Sequence, residues 1–256
     1  MRIVSICPSN TEIVAYLELD ELLIGVDNYS DFPKKVKELP QLGPDLSINM
    51  ENLAELNPDL VLASLSVPGM EVNIEGLEER GIPYIILNPG SLKEIAEDIE
   101  RVGEVLGFKD RGKEKARQFL QEIENYKEKN KDIKERPALY WEWWPKPIFT
   151  PGGGNWLTEI SELAGGKNIF GKKQEASLQM GWDEVLEADP AHICMVWVGV
   201  KEEKMNPELV KKRPGWSEMK AVQNGYIHVL EESLYCRPSP RLLEGLKKLD
   251  RLLDFY

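Results

Sequence analysis

One segment divides this sequence. Between Arg111 and Arg136 there is no proline, and the only glycine is Gly112. Ala116, Phe119, Leu120, Ile123 and Tyr126 recur there at the spacing of one helix face, and most of the rest is Lys, Glu, Gln and Asn. The pattern predicts one amphipathic helix, on the order of 35 Å long at 1.5 Å per residue. A surface helix of a single domain would satisfy it. The length and central position favour a connector between two lobes.

On both sides of that segment, strand-like and helix-like stretches alternate. In the first half, residues 2–6, 22–26, 59–64 and 83–87 are apolar and β-branched. Between them lie helical stretches, two of which open on Ser-x-x-Glu spacings: Ser9 with Glu12, and Ser91 with Glu94. That spacing is a capping box, in which hydroxyl and carboxylate satisfy orphan helix amides. In the second half, residues 138–143, 193–198 and 226–230 read as strands, with helices over 156–163, 182–188, 206–212 and 240–253. Strands separated by helices imply parallel sheets with right-handed crossovers. The expected architecture is therefore α/β, with two Rossmann-like parallel-sheet lobes joined by one long α-helix. Its boundaries fall at 1–108, 109–136 and 137–256.

An internal repeat supports two lobes. Glu51-Asn52-Leu53-Ala54-Glu55-Leu56-Asn57-Pro58 precedes one strand, and Asp183-Glu184-Val185-Leu186-Glu187-Ala188-Asp189-Pro190 precedes another, 132 positions on. Each lobe carries an acidic residue, Glu51 or Asp183, at the same place.

Composition narrows the chemistry. Lys+Arg is 32 and Asp+Glu is 44, a net charge of -12, which argues against the basic face a nucleic-acid partner needs. No apolar run approaches the ~18 residues of a membrane span. The opening Met1-Arg2-Ile3-Val4-Ser5 runs straight into a strand without the parts of a signal peptide, which leaves a cytoplasmic location as an alternative. Cys7, Cys194 and Cys236 form no metal or redox spacing. The only histidines are His192 and His228, both beside expected strands and read as structural. No acid/base pair, metal cluster or nucleotide loop stands out, so no catalytic residue, metal ligand or catalytic cofactor is expected. Gly152-Gly153-Gly154 lacks the Lys-Ser/Thr ending of a P-loop and reads as a flexible turn before a helix. Cys7 reads as a small buried residue at a strand end.

Ligands of open parallel sheets bind at the carboxyl ends of the strands. The loops expected there hold Tyr29, Phe32, Trp143, Trp144, Phe149, Tyr235 and Arg237, although aromatic residues are only 8% of the chain. Aromatic loops facing a cleft suit a large, flat, partly apolar ligand. Trp141, in mid-strand, and Trp156, in a helix, read as packing.

Several stretches resemble a known family. They are Ile3-Val4-Ser5-Ile6-Cys7-Pro8-Ser9-Asn10-Thr11-Glu12, Gly25-Val26 with Tyr29-Ser30-Asp31-Phe32-Pro33, and Asn57-Pro58-Asp59-Leu60-Val61. Further on come Phe149-Thr150-Pro151-Gly152, Ala164-Gly165-Gly166-Lys167-Asn168-Ile169-Phe170 and Arg237-Pro238-Ser239-Pro240-Arg241. In order and spacing they are similar to the vitamin B12-binding branch of the helical-backbone (class III) substrate-binding proteins of ABC importers. The resemblance implies a non-enzymatic, monomeric, extracytoplasmic protein that holds a corrinoid (cobalamin) between two lobes and delivers it to an importer permease. It implies Tyr29, Phe149 and Arg237 as ligand contacts. Phe32, Trp143, Trp144 and Tyr235 are candidates for further ligand surface. Where the B12-binding members carry three tryptophans, this chain has Asp45, Ser64 and Ser177. The resemblance also implies docking on permease arginines through Glu51 and Asp183, with Glu184 beside the latter. For each acid alone, a carboxylate favoured by the helix dipole is the default reading, and the symmetric pair makes docking an equal one. Other readings are a haem or ferric-siderophore binder of the same family, with Tyr29 or Tyr235 as a haem ligand, a cytoplasmic corrinoid-handling protein, and a sensor or storage protein without a transporter.

Overall fold

The computed structural model describes residues 1–253. The chain forms two compact units: Met1–Pro89 with Lys93–Leu120, and Gly90–Leu92 with the chain from Gln121 onward. Apart from the short excursion at Gly90–Leu92, the passage from one to the other, between Leu120 and Gln121, falls within a single helix. Of the expected second lobe, residues 254–256 lie outside the described residues.

The first unit begins β1 (Ile3–Ser5), α1 (Pro8–Tyr16), β2 (Leu23–Val26), α2 (Met50–Glu55), β3 (Leu60–Ser64), α3 (Glu71–Glu79), β4 (Tyr84–Leu87) and α4 (Leu92–Val105). The four strands are parallel, in the order β2-β1-β3-β4. One face of the sheet buries Val4, Ile6, Val61 and Ala63 against Leu53 of α2 and Leu77 of α3. The capping box expected at Ser9 does not open α1. Cys7 is the N-cap and Pro8 sits in the first turn, where its missing N–H costs no hydrogen bond. Ser9 contacts the Cys7 thiol instead.

The long helix α5 spans Lys109–Lys129, shorter at its end than expected. Gly112 is there for packing. A Cβ on Gly103 of α4 would lie 2.5 Å from the Gly112 Cα, so the two helices cross backbone on backbone. At the other end the chain turns at Asn130, whose buried amide donates to the Leu163 carbonyl (2.7 Å) and to Asp250 Oδ1 (3.0 Å).

The second unit continues β5 (Ala138–Glu142), β6 (Trp144–Pro145), β7 (Ile148–Pro151), α6 (Trp156–Leu163), β8 (Lys167–Asn168), β9 (Ser177–Met180), α7 (Trp182–Ala188) and β10 (His192–Met195). Then follow α8 (Glu208–Lys211), α9 (Lys220–Gln223), β11 (Ile227–Val229), α10 (Glu232–Tyr235) and α11 (Leu242–Leu253). The parallel sheet has the order β8-β5-β10-β11. A second, antiparallel sheet, β6-β7-β9, occupies the segment expected to be loop. The triple glycine is not a flexible turn. A Cβ on Gly152 would lie 2.2 Å from the Glu175 carbonyl and one on Gly153 2.4 Å from the Gly171 carbonyl, so these glycines admit a neighbouring backbone.

The sequence repeat is a structural repeat. α2 and α7 each lead into the strand lying third in its sheet, counting from β2 and β8. Each helix is followed by a non-glycine residue in the left-handed region, Asn57 (φ 47) or Asp189 (φ 40). Asn and Asp tolerate that conformation better than other side chains. The next bonds also match: Asp59 N donates to the Arg2 carbonyl and Ala191 N to the Ala138 carbonyl, both at 2.8 Å.

Candidate functional site

In the first unit, the carboxyl end of β2 runs into Asp27, which is fully buried. Its Oδ1 accepts hydrogen bonds from Tyr29 N (2.7 Å) and Ser30 N (3.0 Å), and Oδ2 accepts one from the Ser30 hydroxyl (2.5 Å). This is an Asx-type turn. It leaves Tyr29 52% exposed, with Phe32, 38% exposed, following it. Burial pushes the Asp27 carboxyl up to about 6, against the lowering effect of the Ser30 and Tyr29 hydrogen bonds. Beyond β3, Ser64 and Ser66 hydroxyls are 2.9 Å apart, and Val67 is exposed, as is Leu46 on a neighbouring loop. Neither aliphatic residue was singled out from sequence, because lone aliphatics in loops carry no periodic signal. Cys7, at the end of β1, is buried, and burial pushes its thiol up to about 11. A thiol so seldom ionised is a poor nucleophile.

In the second unit, the carboxyl end of β5 runs into Trp143 and Trp144. The β6–β7 hairpin pairs Trp144 directly with Phe149, which puts both rings on one face of the ribbon. Both are exposed. The Trp197 ring, just past β10, lies 6.4 Å from the Trp144 ring, and Val198 beside it is exposed. The Trp143 amide donates to the Phe149 carbonyl (2.9 Å), and its carbonyl accepts from Val198 N (3.1 Å). Three of the expected residues, Trp143, Trp144 and Phe149, thus meet on one hairpin.

Behind this surface lies a buried charge pair that sequence reading missed. Glu142 is fully buried and accepts two hydrogen bonds from Arg213, at 2.5 and 2.8 Å. Trp197 Nε1 donates to Glu142 Oε1 (3.0 Å) and the Tyr140 hydroxyl to Oε2 (2.9 Å). The Arg213 guanidinium stacks 4.4 Å from the Trp216 ring centre. The partners are far apart along the chain, and no local motif announces such a pair.

One expectation does not hold. Tyr235 offers no ligand surface and no haem ligand: it is fully buried in α10, its hydroxyl donates to the Gly245 carbonyl (2.9 Å), and its ring lies 5.4 Å from Trp141. Arg237 stands two residues beyond α10. Its side chain is 10% exposed and pairs with Glu232 at 3.2 Å.

Glu51 and Asp183 occupy the second position of α2 and α7, and both are exposed. Asn49 caps α2 through bonds from Glu51 N and Asn52 N. Glu184 Oε2 accepts from Gly181 N at 2.5 Å, so it serves its own helix start. Asp183, not Glu184, is the structural counterpart of Glu51. Among the described residues, no group of three or more His, Cys, Asp or Glu could hold a metal, and no helix is long and apolar enough to cross a membrane.

Comparison with known proteins agrees with this architecture. The model of a family described as "Periplasmic binding protein" matches residues 3–234. An uncharacterized ABC transporter substrate-binding lipoprotein of Bacillus subtilis, YvrC, is 31% identical over 97% of this chain and 78% of its own length. The crystal structure of the periplasmic vitamin B12 binding protein BtuF of Vibrio cholerae superposes with a TM-score of 0.79 at 26% identity, covering 99% of this chain and 96% of that one. The apo form of a periplasmic heme-binding protein, RhuT, from Roseiflexus sp. RS-1 superposes with a TM-score of 0.84 at 25% identity, covering 98% and 96%.

Proposed function

This chain belongs to the periplasmic binding protein family, and we propose that it captures a corrinoid such as cobalamin and delivers it to an ABC importer. The family is one of solute-binding proteins, not of enzymes. One observation carries the ligand reading: Trp144 and Phe149 stand exposed and paired on the hairpin at the strand ends, with Trp197 behind them. In the first unit Tyr29 stands exposed beyond the carboxyl end of β2. Such rings offer a broad apolar surface to a flat macrocycle. At ~25 cal/mol/Å², a few hundred Å² of buried apolar surface yields several kcal/mol before ordering costs. The likeness to a vitamin B12 binding protein supports this choice.

Glu51 and Asp183, matched in position on their helices, are our candidates for docking on arginines of the permease. Work as a monomer, in a periplasm or at a cell surface, belongs to the same reading. A haem reading draws on the exposed Tyr29, whose phenol is of the kind that ligates iron, and on the likeness to a heme-binding protein.

The test is calorimetric titration with cyanocobalamin, with haem and a ferric siderophore in parallel. Submicromolar one-to-one binding of cyanocobalamin is the expected result. Binding of haem alone, with a visible spectrum of Tyr-ligated iron that is lost in Tyr29→Phe, would replace the corrinoid with haem. Silence from all three ligands would refute both readings.

A further inference from the structure

The exposed Tyr29 is held from inside the protein. Asp27 Oδ1 accepts from the amides of Tyr29 and Ser30, and Oδ2 from the Ser30 hydroxyl. A chain of buried hydroxyls continues inward. Ser30 Oγ lies 2.7 Å from Thr11 Oγ1, Thr11 donates to Ser5 Oγ (2.8 Å), and Ser5 donates to the Cys7 carbonyl (3.1 Å). The chain ties the Tyr29 turn to the first strand and to the start of α1.

The inventory of protons shows what the chain can accept. Each hydroxyl has one proton to give. If residue 27 is a donor at its outer atom, the bonds run one way: residue 27 to Ser30, Ser30 to Thr11, Thr11 to Ser5, Ser5 to the Cys7 carbonyl. If it is a carboxylate, Ser30 turns and donates to it. In both states the inner oxygen still accepts both backbone amides. An asparagine reproduces the first state and an alanine neither. Removing the side chain would strand two amides and a hydroxyl around a buried position, the costly way to lose a hydrogen bond.

We propose that Asp27 is a positioning residue for ligand capture, fixing the Tyr29 turn through the geometry of its acceptor oxygen and not through its charge. The inference rests on reading Tyr29 as a ligand contact. It goes further by assigning the support of that contact to a buried residue that no ligand reaches.

The experiment titrates cyanocobalamin into the wild type, Tyr29→Ala, Asp27→Ala, Asp27→Asn and the Tyr29→Ala/Asp27→Ala double variant, and follows Tyr29 and Ser30 amide exchange by NMR. Y29A and D27A should each weaken binding about tenfold or more, as loss of an anchoring aromatic does. The double variant should be no weaker than Y29A alone. D27N should stay within about threefold of wild type. Amide protection at Tyr29 and Ser30 should be lost in D27A and kept in D27N. Asp27→Ser, with one shorter acceptor, should fall between them and serves if D27A does not fold.

Affinity that fails to follow amide protection among the wild type, D27A, D27N and Asp27→Ser would overturn the proposal. D27N as weak as D27A would overturn it too, since charge would then be what matters. Y29A binding as tightly as wild type would refute the Tyr29 contact, and with it ligand positioning, while amide exchange would still show whether Asp27 holds the turn. A wild type that binds no cyanocobalamin would overturn both.

Discussion

Acidification should destabilise the second unit, through the only two histidines. His192 is 1% exposed, its Nδ1 lies 3.0 Å from His228 Nε2, and its ring stacks on Tyr226 with centres 5.0 Å apart. One ring nitrogen must donate to the other, which requires at least one neutral imidazole. Burial, then the neighbouring His228, lowers the His192 pKa to about 4. The unfolded chain takes up the same proton near pH 6.5. The folded state therefore binds fewer protons than the unfolded one between those values. Its stability is complete above pH 6.5 and declines as the pH falls towards 4. From pH 7 to pH 5 the loss from His192 alone is about 2 kcal/mol, and His228, shifted in the same direction, adds to it. All seven tryptophans, from Trp141 to Trp216, lie in the second unit, so their fluorescence reports its unfolding alone. With a urea slope of 1–3 kcal/mol/M, the midpoint should fall by about 1 M. His192→Asn should flatten this dependence, whatever its own baseline stability. A midpoint equal at the two pH values, or one that moves as far in H192N as in wild type, would refute the reasoning.

Three further outcomes are expected. In the first unit the sign reverses: burial raises the Asp98 carboxyl to about 6, and its Oδ2 is buried without a hydrogen-bond partner, so stability there rises as pH falls from about 6 towards 4. Asp98→Asn should accordingly stabilise that unit at pH 7.5 by on the order of 2 kcal/mol, read by amide exchange. Arg213→Met should cost the second unit about 3–5 kcal/mol by leaving Glu142 buried and unpaired, and the double variant with Glu142→Gln should recover much of it, both measured by urea unfolding. Gly103→Ala should cost about 1–3 kcal/mol by forcing α4 and α5 apart, whereas Gly81→Ala, with nothing within 4 Å of its Cβ and φ +62, should cost only about 1 kcal/mol of backbone strain; thermal unfolding followed by circular dichroism separates them.

The sequence yielded its elements where punctuation is local. Helix α6 ends before Gly165-Gly166 and α7 before Asp189-Pro190, and both match expectation residue for residue. The β6-β7-β9 sheet was illegible because its strands are short and rich in Pro and Gly, and because β7 finds β9 only across α6. No periodicity encodes that pairing. Exposed Tyr29, Trp144 and Phe149 followed from the rule that aromatics in strand-end loops face outward. Tyr235 broke it, since a single turn of helix points its ring inward. A signal lay in α11, where Gly245 leaves room for α10: a Cβ there would lie 2.4 Å from the Leu234 carbonyl. Glu142 and Arg213 could be paired only once the fold had brought them together.

The paired left-handed residues, Asn57 and Asp189, have a consequence for ancestry. Such a conformation is unfavourable for a side chain, and two unrelated sheets would have little cause to adopt it at the same junction. Shared strand order, an acidic residue at the second position of the helix and the same bond into the neighbouring strand are what a duplicated gene segment leaves behind. The two copies then diverged in one respect above all: every tryptophan in the chain belongs to the second. Four of the seven, Trp141, Trp156, Trp197 and Trp216, are buried, so the divergence lies in the core of the second copy as much as on its surface.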